Sequence, residues 1–218
     1  YLYRDADHMW KVLTGPIGAE LFAKLEASNF VGMCWYDGGS RNFYTKKPVK
    51  TLADLKGMKI RVQQSPLMVG MVEGLGAVAT PLDFGQVYSA LQTGVVDGAE
   101  NNWPSYLSTS HFEVAKYFIT DEHTRVPEIM VASKRVFDKL SKEDQELIKK
   151  AAWDSMPVQI KLWTDYEKVA EKAVRDKGAI ITVVSPEEKA KFMAAMQPLY
   201  DKQPKEILAV VERVRAVK

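Results

Sequence analysis

The sequence predicts an α/β fold, because segments of helical and strand periodicity alternate along most of the chain, turn-prone residues fall between them, and polar residues collect where strands give way to helices. Residues 6–13 and 16–27 carry helical patterns. Residues 29–37 and 41–46 read as strands, with Asp37, Gly38, Gly39 and Ser40 as the turn between them. The strand 58–63 follows, in which Ile60 and Val62 supply a buried face while Lys59, Arg61 and Gln63 share the other. A helix over 67–75 is stopped by Gly76, strand 77–82 and helix 85–93 succeed it, another helix starts near 103, and strands are predicted at 115–120 and 128–133.

The longest helical pattern begins at Ser141. Ser141 and Asp144 form a capping-box-like start, Glu143 and Asp144 lie at the positive end of the helix dipole, and apolar residues recur in register until Gly178. Such a helix is about 55 Å long at ~1.5 Å per residue, longer than a small lobe is wide, so it is expected to span two lobes. Pro157 removes one backbone donor and crowds the preceding turn, which predicts a kink near 153–157. Strand 180–184, a helix from Ser185 with Pro186 in its first turn, and an amphipathic helix after Pro204 complete the chain.

Composition narrows the function more by exclusion than by assignment. With 218 residues, 46% hydrophobic and 27% charged, the chain can bury one large core or two smaller ones. No apolar run approaches the roughly 18 residues of a membrane helix, and no membrane insertion is expected. A net charge of +2, with lysines and glutamates interleaved, gives no footprint for nucleic acid or an anionic membrane surface. The single Cys34 lies in the apolar run FVGMCWY and reads as a small buried hydrophobe. There is no glycine-rich phosphate loop, no His/Cys metal spacing and no nucleophile elbow, and His8, His111 and His123 are far apart, so neither catalysis, a cofactor nor a metal is predicted.

The polar residues point to an anion. Arg61 stands at the end of its predicted strand, where a guanidinium can clamp a carboxylate through two parallel hydrogen bonds. The later run LQTGVVDGAENNWPSY sets Glu100, Asn101 and Asn102 just before Trp103 and Pro104, at the strand-to-helix junction where α/β proteins hold ligands. Trp103 either fills the core there or stacks on a ligand.

Three segments, KTLADLKGMKIRVQQS, TPLDFGQVYSALQTGVVDGAENN and YFITDEHTRVPEIMVASKRVFDKLS, resemble in order and spacing the extracytoplasmic solute-binding proteins of tripartite ATP-independent periplasmic (TRAP) transporters. The resemblance covers nearly the whole chain and implies a two-lobe periplasmic binding protein fold, braced by the long kinked helix. In that family a first lobe precedes the segment YLYRDADHMWKVL, so the chain is expected to lack the N-terminal part of that lobe; it also has no initiator methionine and no signal peptide. The implied organisation is 1–38 as a remnant of the first lobe, 39–126 as the second lobe, 127–195 as a return to the first lobe with the bridging helix, and 196–218 as a C-terminal helix on the second lobe.

By the same resemblance Arg61 grips the substrate carboxylate and Asn101 locates the same anion, its amide donating to the ligand and its oxygen accepting from Arg61 or a hydroxyl. Arg41 falls where many members carry an arginine near the ligand. Two neighbouring arginines need an intervening anion, so Arg41, Glu100 and His123 are expected to form a buried constellation that orients the clamp. Phe84 matches an aromatic lining the pocket, and Gln63 can meet a hydroxyl. The run GAENNWPSY with HTRVPE resembles members that take sugar acids, especially hexuronates such as glucuronate or galacturonate. The implied role is a monomeric periplasmic receptor that delivers the acid to a TRAP membrane permease. Alternatives are a ligand sensor for a signalling partner and, through Glu100 and His123 as an acid/base pair, a uronate lyase or isomerase.

Overall fold

Residues 1–218 are described by a computed structural model. The chain begins with helices α1 (Ala6–Leu13) and α2 (Pro16–Leu25). Asp5 caps α1 by accepting from the His8 amide at 2.7 Å. Pro16 opens α2, and Gly18 lets that helix approach α1 closely, because a Cβ there would lie 1.8 Å from the Leu13 carbonyl oxygen.

Strand β1 (Phe30–Thr45) then runs without a break through residues 37–40, where a turn was predicted. The Asp-Gly-Gly-Ser segment bends the strand locally instead of reversing it. Gly39 adopts φ +73°, and its amide donates to the Asp37 carboxylate at 2.8 Å. The Asp37 peptide is held on both sides by Gln159, whose Oε1 accepts from the Asp37 amide at 2.8 Å and whose Nε2 donates to the Asp37 carbonyl at 2.9 Å. With these backbone groups satisfied, the chain has no need to fold back.

The next elements are β2 (Lys59–Val62), α3 (Pro66–Gly74), β3 (Val78–Pro81), α4 (Val87–Thr93), β4 (Gly98–Asn101), α5 (Trp103–Ser108) and α6 (His111–Val114). Strand β5 (Tyr117–Ser133) merges the two strands predicted at 115–120 and 128–133, passing through Glu122 at φ +48°. After α7 (Lys134–Phe137) comes α8 (Lys142–Asp176), 35 residues that stay helical through Pro157. Strand β6 (Ile180–Val183) and helices α9 (Pro186–Ala195), α10 (Gln197–Asp201) and α11 (Lys205–Ala216) end the chain. The sheet order is β3-β2-β4-β1-β5-β6. Strand β2 pairs in parallel with β3 and β4, β1 pairs antiparallel with β4, and β6 pairs in parallel with β5.

The chain divides into two compact units. The first comprises Tyr1, residues 40–124 and residues 166–205. Its strands alternate between two cores: Phe43 and Ile119 point into one with Ile60, Val62, Val72 and Phe192, while Tyr44 and Phe118 point into the other with Leu91, Trp103, Tyr106 and Val174. The sheet is thus covered on both faces. The second unit comprises residues 2–39, 125–165 and 206–218, and packs Met9, Leu13 and Trp35 in one cluster, Cys34, Phe137 and Ala152 in another, and Val12, Ile17 and Val214 in a third.

These boundaries depart from the predicted organisation in two places. Residues 166–195 group with 40–124, because Ala170 and Val174 of α8 pack with Tyr44 and Phe118, and Phe192 packs with Phe43. Helix α11 groups with α1 and α2 instead of the unit that holds 40–124, since Val214 packs on Val12 and Ile17 and its carbonyl pairs with His8 Nε2 at 2.9 Å.

Candidate functional site

Arg61 is the third residue of β2, and because helices cover both faces of the sheet it is buried, with 3% of its surface exposed. The expectation that Ile60 and Val62 alone supply the buried face of this strand is corrected by that second layer. Its Nε and one terminal nitrogen donate to the Leu82 carbonyl at 2.9 and 2.6 Å, and no carboxylate lies within ion-pair distance. Burial pulls its pKa down, opposed by the charge of Glu100. With one edge of the fork turned to the protein, the terminal edge is what remains for a ligand oxygen pair.

A second group forms where β1 meets β4. The antiparallel register sets Asn42 opposite Asn101 and Phe43 opposite Glu100, which brings the Arg41 side chain to the Glu100 carboxylate. Arg41 Nε donates to Oε2 at 2.5 Å and Nη2 to Oε1 at 2.8 Å, the two-point geometry that only a guanidinium supplies. Nη2 also reaches the Glu100 carbonyl at 3.1 Å, and Nη1 reaches Asn101 Oδ1 at 3.2 Å. His123 joins from β5: Nε2 lies 3.3 Å from Glu100 Oε2 and Nδ1 lies 2.8 Å from Asp121 Oδ2. Asp121 in turn accepts from the Tyr1 hydroxyl at 2.8 Å and from the Phe43 amide at 3.2 Å.

Glu100 and His123 are fully buried. Burial pushes the Glu100 carboxyl up, but the hydrogen bonds from His123 and Arg41 outweigh it and leave the group below the usual glutamate range. Burial pushes His123 down, and the Asp121 and Glu100 carboxylates outweigh it and leave the imidazole above its ordinary value.

The structure gathers Arg41, Glu100 and His123 into one hydrogen-bonded network, which Asn101 joins through Arg41. Asn101 departs from its expected role in one respect: its oxygen accepts from Arg41 and from the Asn102 amide at 2.9 Å, not from Arg61. Phe84 is half exposed, and its ring centroid lies 5.9 Å from the Arg61 guanidinium carbon. Gln63 falls beyond the end of β2 and is exposed, so it does not share a strand face with Arg61. Trp103 stacks on Phe118 with centroids 3.7 Å apart, the core position of the two alternatives. No group of three or more His, Cys, Asp or Glu side chains is arranged to hold a metal ion.

Sequence reasoning missed Asp121, Tyr1, the Leu82 carbonyl, and a buried pair made by Tyr44 and His111 at 2.8 Å. Asp121 was legible, since it stands two residues from His123 and so shares its face of a strand. Nothing in the local sequence marks the others.

The fold is that of TRAP periplasmic solute-binding proteins. A structure from Bradyrhizobium sp. btai1 b in complex with α/β-D-galacturonate is 51% identical, with a TM-score of 0.91 over 98% of this chain and 72% of its own. One from Pseudomonas putida F1 with bound D-glucuronate is 41% identical, with a TM-score of 0.93 over 100% of this chain and 71% of its own. The chain belongs to the bacterial extracellular solute-binding protein family 7 (DctP), whose model matches residues 1–206. A solute-binding protein of Chromohalobacter salexigens is 38% identical over 92% of this chain, which spans 60% of that relative's length. No helix is long and apolar enough to cross a membrane.

Proposed function

We propose that this chain is the anion-recognising part of an extracytoplasmic receptor that binds a hexuronate, glucuronate or galacturonate, and delivers it to a TRAP membrane permease. The observation that carries the reading is Arg61, a buried cation with no carboxylate partner, one edge fixed on Leu82 and an aromatic ring beside it. Arg41 differs: Glu100 already neutralises it, so its role is to hold Glu100 and Asn101 in place. An organic anion completes the charge balance at Arg61, Asn101 offers its amide to the same carboxylate, and Phe84 offers a face to the apolar side of a sugar ring. The bound uronates of the similar structures support this choice of acid.

Capture precedes delivery: the anion meets Arg61, the lobes close on it, and the closed form docks on the permease, where an ion gradient supplies the energy. A thermal-shift panel on the full-length protein tests the ligand. Glucuronate and galacturonate should stabilise it by RT ln(1 + [L]/Kd), about 2.7 kcal/mol at a hundredfold excess, and the matching neutral hexoses should not. Succinate and malate satisfy the arginine but leave hydroxyl-binding groups unpaired, at about 1 to 3 kcal/mol each, and should give smaller shifts. Dicarboxylates ranking above the uronates would overturn the sugar-acid assignment.

A further inference from the structure

Tyr44 and His111 share no hydrogen bond with the Arg41, Glu100 and His123 network, yet they are almost fully buried beside the anion site. Tyr44 comes from β1 and His111 opens α6; the hydroxyl and Nδ1 are 2.8 Å apart, and the ring centroids 5.6 Å. The His111 ring meets Phe84 in a T-shaped contact, 6.1 Å between centroids at 69°. Phe84 in turn stands 5.9 Å from the guanidinium carbon of Arg61. Three rings from three elements therefore form a file that ends on the cation.

The file matters because Arg61 has few other restraints. Both of its hydrogen bonds go to one carbonyl, Leu82, two residues before Phe84 in the same loop. Phe84 is itself 48% exposed, so half of its ring has no packing to hold it and the His111 contact fixes its tilt. The titratable and charged groups that face His111 are Tyr44 of β1 and Arg61 of β2; Tyr106 of α5 packs on Tyr44, with ring centroids 4.7 Å apart, and on α6 itself the Glu113 carboxylate accepts from Tyr88 of α4 at 3.1 Å. No carboxylate pairs with His111 to favour its protonation. Burial and then the Arg61 charge hold its pKa at about 4, so at neutral pH the ring is uncharged, and the tautomer decides whether the Tyr44 hydroxyl or Nδ1 is the donor between them.

We propose that His111 is a positioning residue for the Arg61 anion site: held by Tyr44 as a neutral imidazole, it fixes the Phe84 ring against the guanidinium, and its protonation is coupled to neutralisation of that guanidinium. The proposal rests on the reading of Arg61 as the ligand's carboxylate clamp. Coupling is reciprocal, so an anion that cancels the Arg61 charge must raise the His111 pKa, and protonation of His111 must strengthen anion binding by the same factor.

The test is a histidine NMR titration of the full-length protein, with and without saturating glucuronate, repeated on Arg61→Met. In the free wild-type protein His111 is expected as the Nε2-protonated tautomer. Arg61→Met should raise its pKa by about half a pH unit or more, and bound glucuronate should do the same. A His111 titration unmoved in Arg61→Met overturns the coupling whether or not glucuronate binds, and failure of glucuronate to bind by calorimetry refutes the hexuronate reading separately. Calorimetry on His111→Ala should show affinity weakened by about tenfold through loss of the ring file; unchanged affinity overturns the positioning role. If that variant does not fold, the Arg61→Met comparison decides on a chain with His111 intact.

Discussion

Replacing Arg61 by methionine should separate binding from folding, because the proposed function gives the side chain a ligand to hold and the fold gives it only the Leu82 carbonyl. The residue has 3% of its surface exposed, its guanidinium hydrogen-bonds only to the Leu82 carbonyl, and burial lowers its pKa. Methionine fills a similar volume and relieves that desolvation, while the Leu82 carbonyl loses its donors at about 1 to 3 kcal/mol. The two effects oppose each other, so the net change in stability should stay within about 1 kcal/mol, roughly 2 to 4 °C in melting temperature for a chain of this size. Binding has no such compensation: truncating one partner of a buried charge pair costs about 2 to 5 kcal/mol, or roughly thirty- to several thousandfold in Kd. Calorimetry with glucuronate and thermal melts on the same preparation measure both quantities. Near-native affinity would remove Arg61 from the site, and a stability loss above ~3 kcal/mol would make it a structural residue. Arg61→Lys should also bind poorly, since one ammonium cannot both satisfy Leu82 and present a planar pair of donors to a carboxylate.

Glu100→Gln leaves Arg41 buried without its carboxylate and weakens the hold on His123, and should cost about 3 to 5 kcal/mol in denaturant unfolding; an unchanged midpoint would show that the pair contributes nothing to the fold. The two buried histidines should act in opposite senses on stability against pH. His123 has a raised pKa, so its contribution is full below about pH 6.5 and is lost as pH rises through the folded value. His111 is lowered to about 4, so stability falls as pH drops from about 6.5 towards 4, by about 3 kcal/mol, and His111→Phe should flatten that acid limb. Gly18→Ala drives a methyl group into the Leu13 carbonyl and should destabilise by about 1 to 3 kcal/mol or more, seen as an earlier melt.

The alternation of helix and strand, the cap at Ser141 and the stop at Gly178 were legible because each is a local signal with a local cause. The turn at residues 37–40 was misread for the same reason. Gly38-Gly39 favours reversal locally, but Gln159, more than a hundred residues away, supplies the hydrogen bonds that keep β1 extended. Arg41 and Asn101 came from the family resemblance, and Glu100 and His123 could then be nominated from charge balance, since a buried arginine demands a carboxylate and a histidine is a natural second partner. That Asn101 accepts from Arg41 and not from Arg61 was not legible, for it depends on the one-residue register between β1 and β4. Gln63 failed because β2 ends at Val62, and side-chain alternation holds only while the strand continues.

Neither compact unit is a continuous stretch of chain, and this bears on how the protein is made. The first needs residues 166–205 to place β6 beside β5, and the second needs residues 206–218 to put Val214 on Val12. Helices α1 and α2 precede their helical partner α11 by most of this sequence, so during synthesis segments some two hundred residues apart must find each other. Contacts that close such large loops form late and slowly. Until then the exposed edge of β5 and the uncovered faces of α1 and α2 are open to wrong partners. Neither unit is therefore finished while β1 to β5 emerge: the first waits for residues 166–205 and the second for α11.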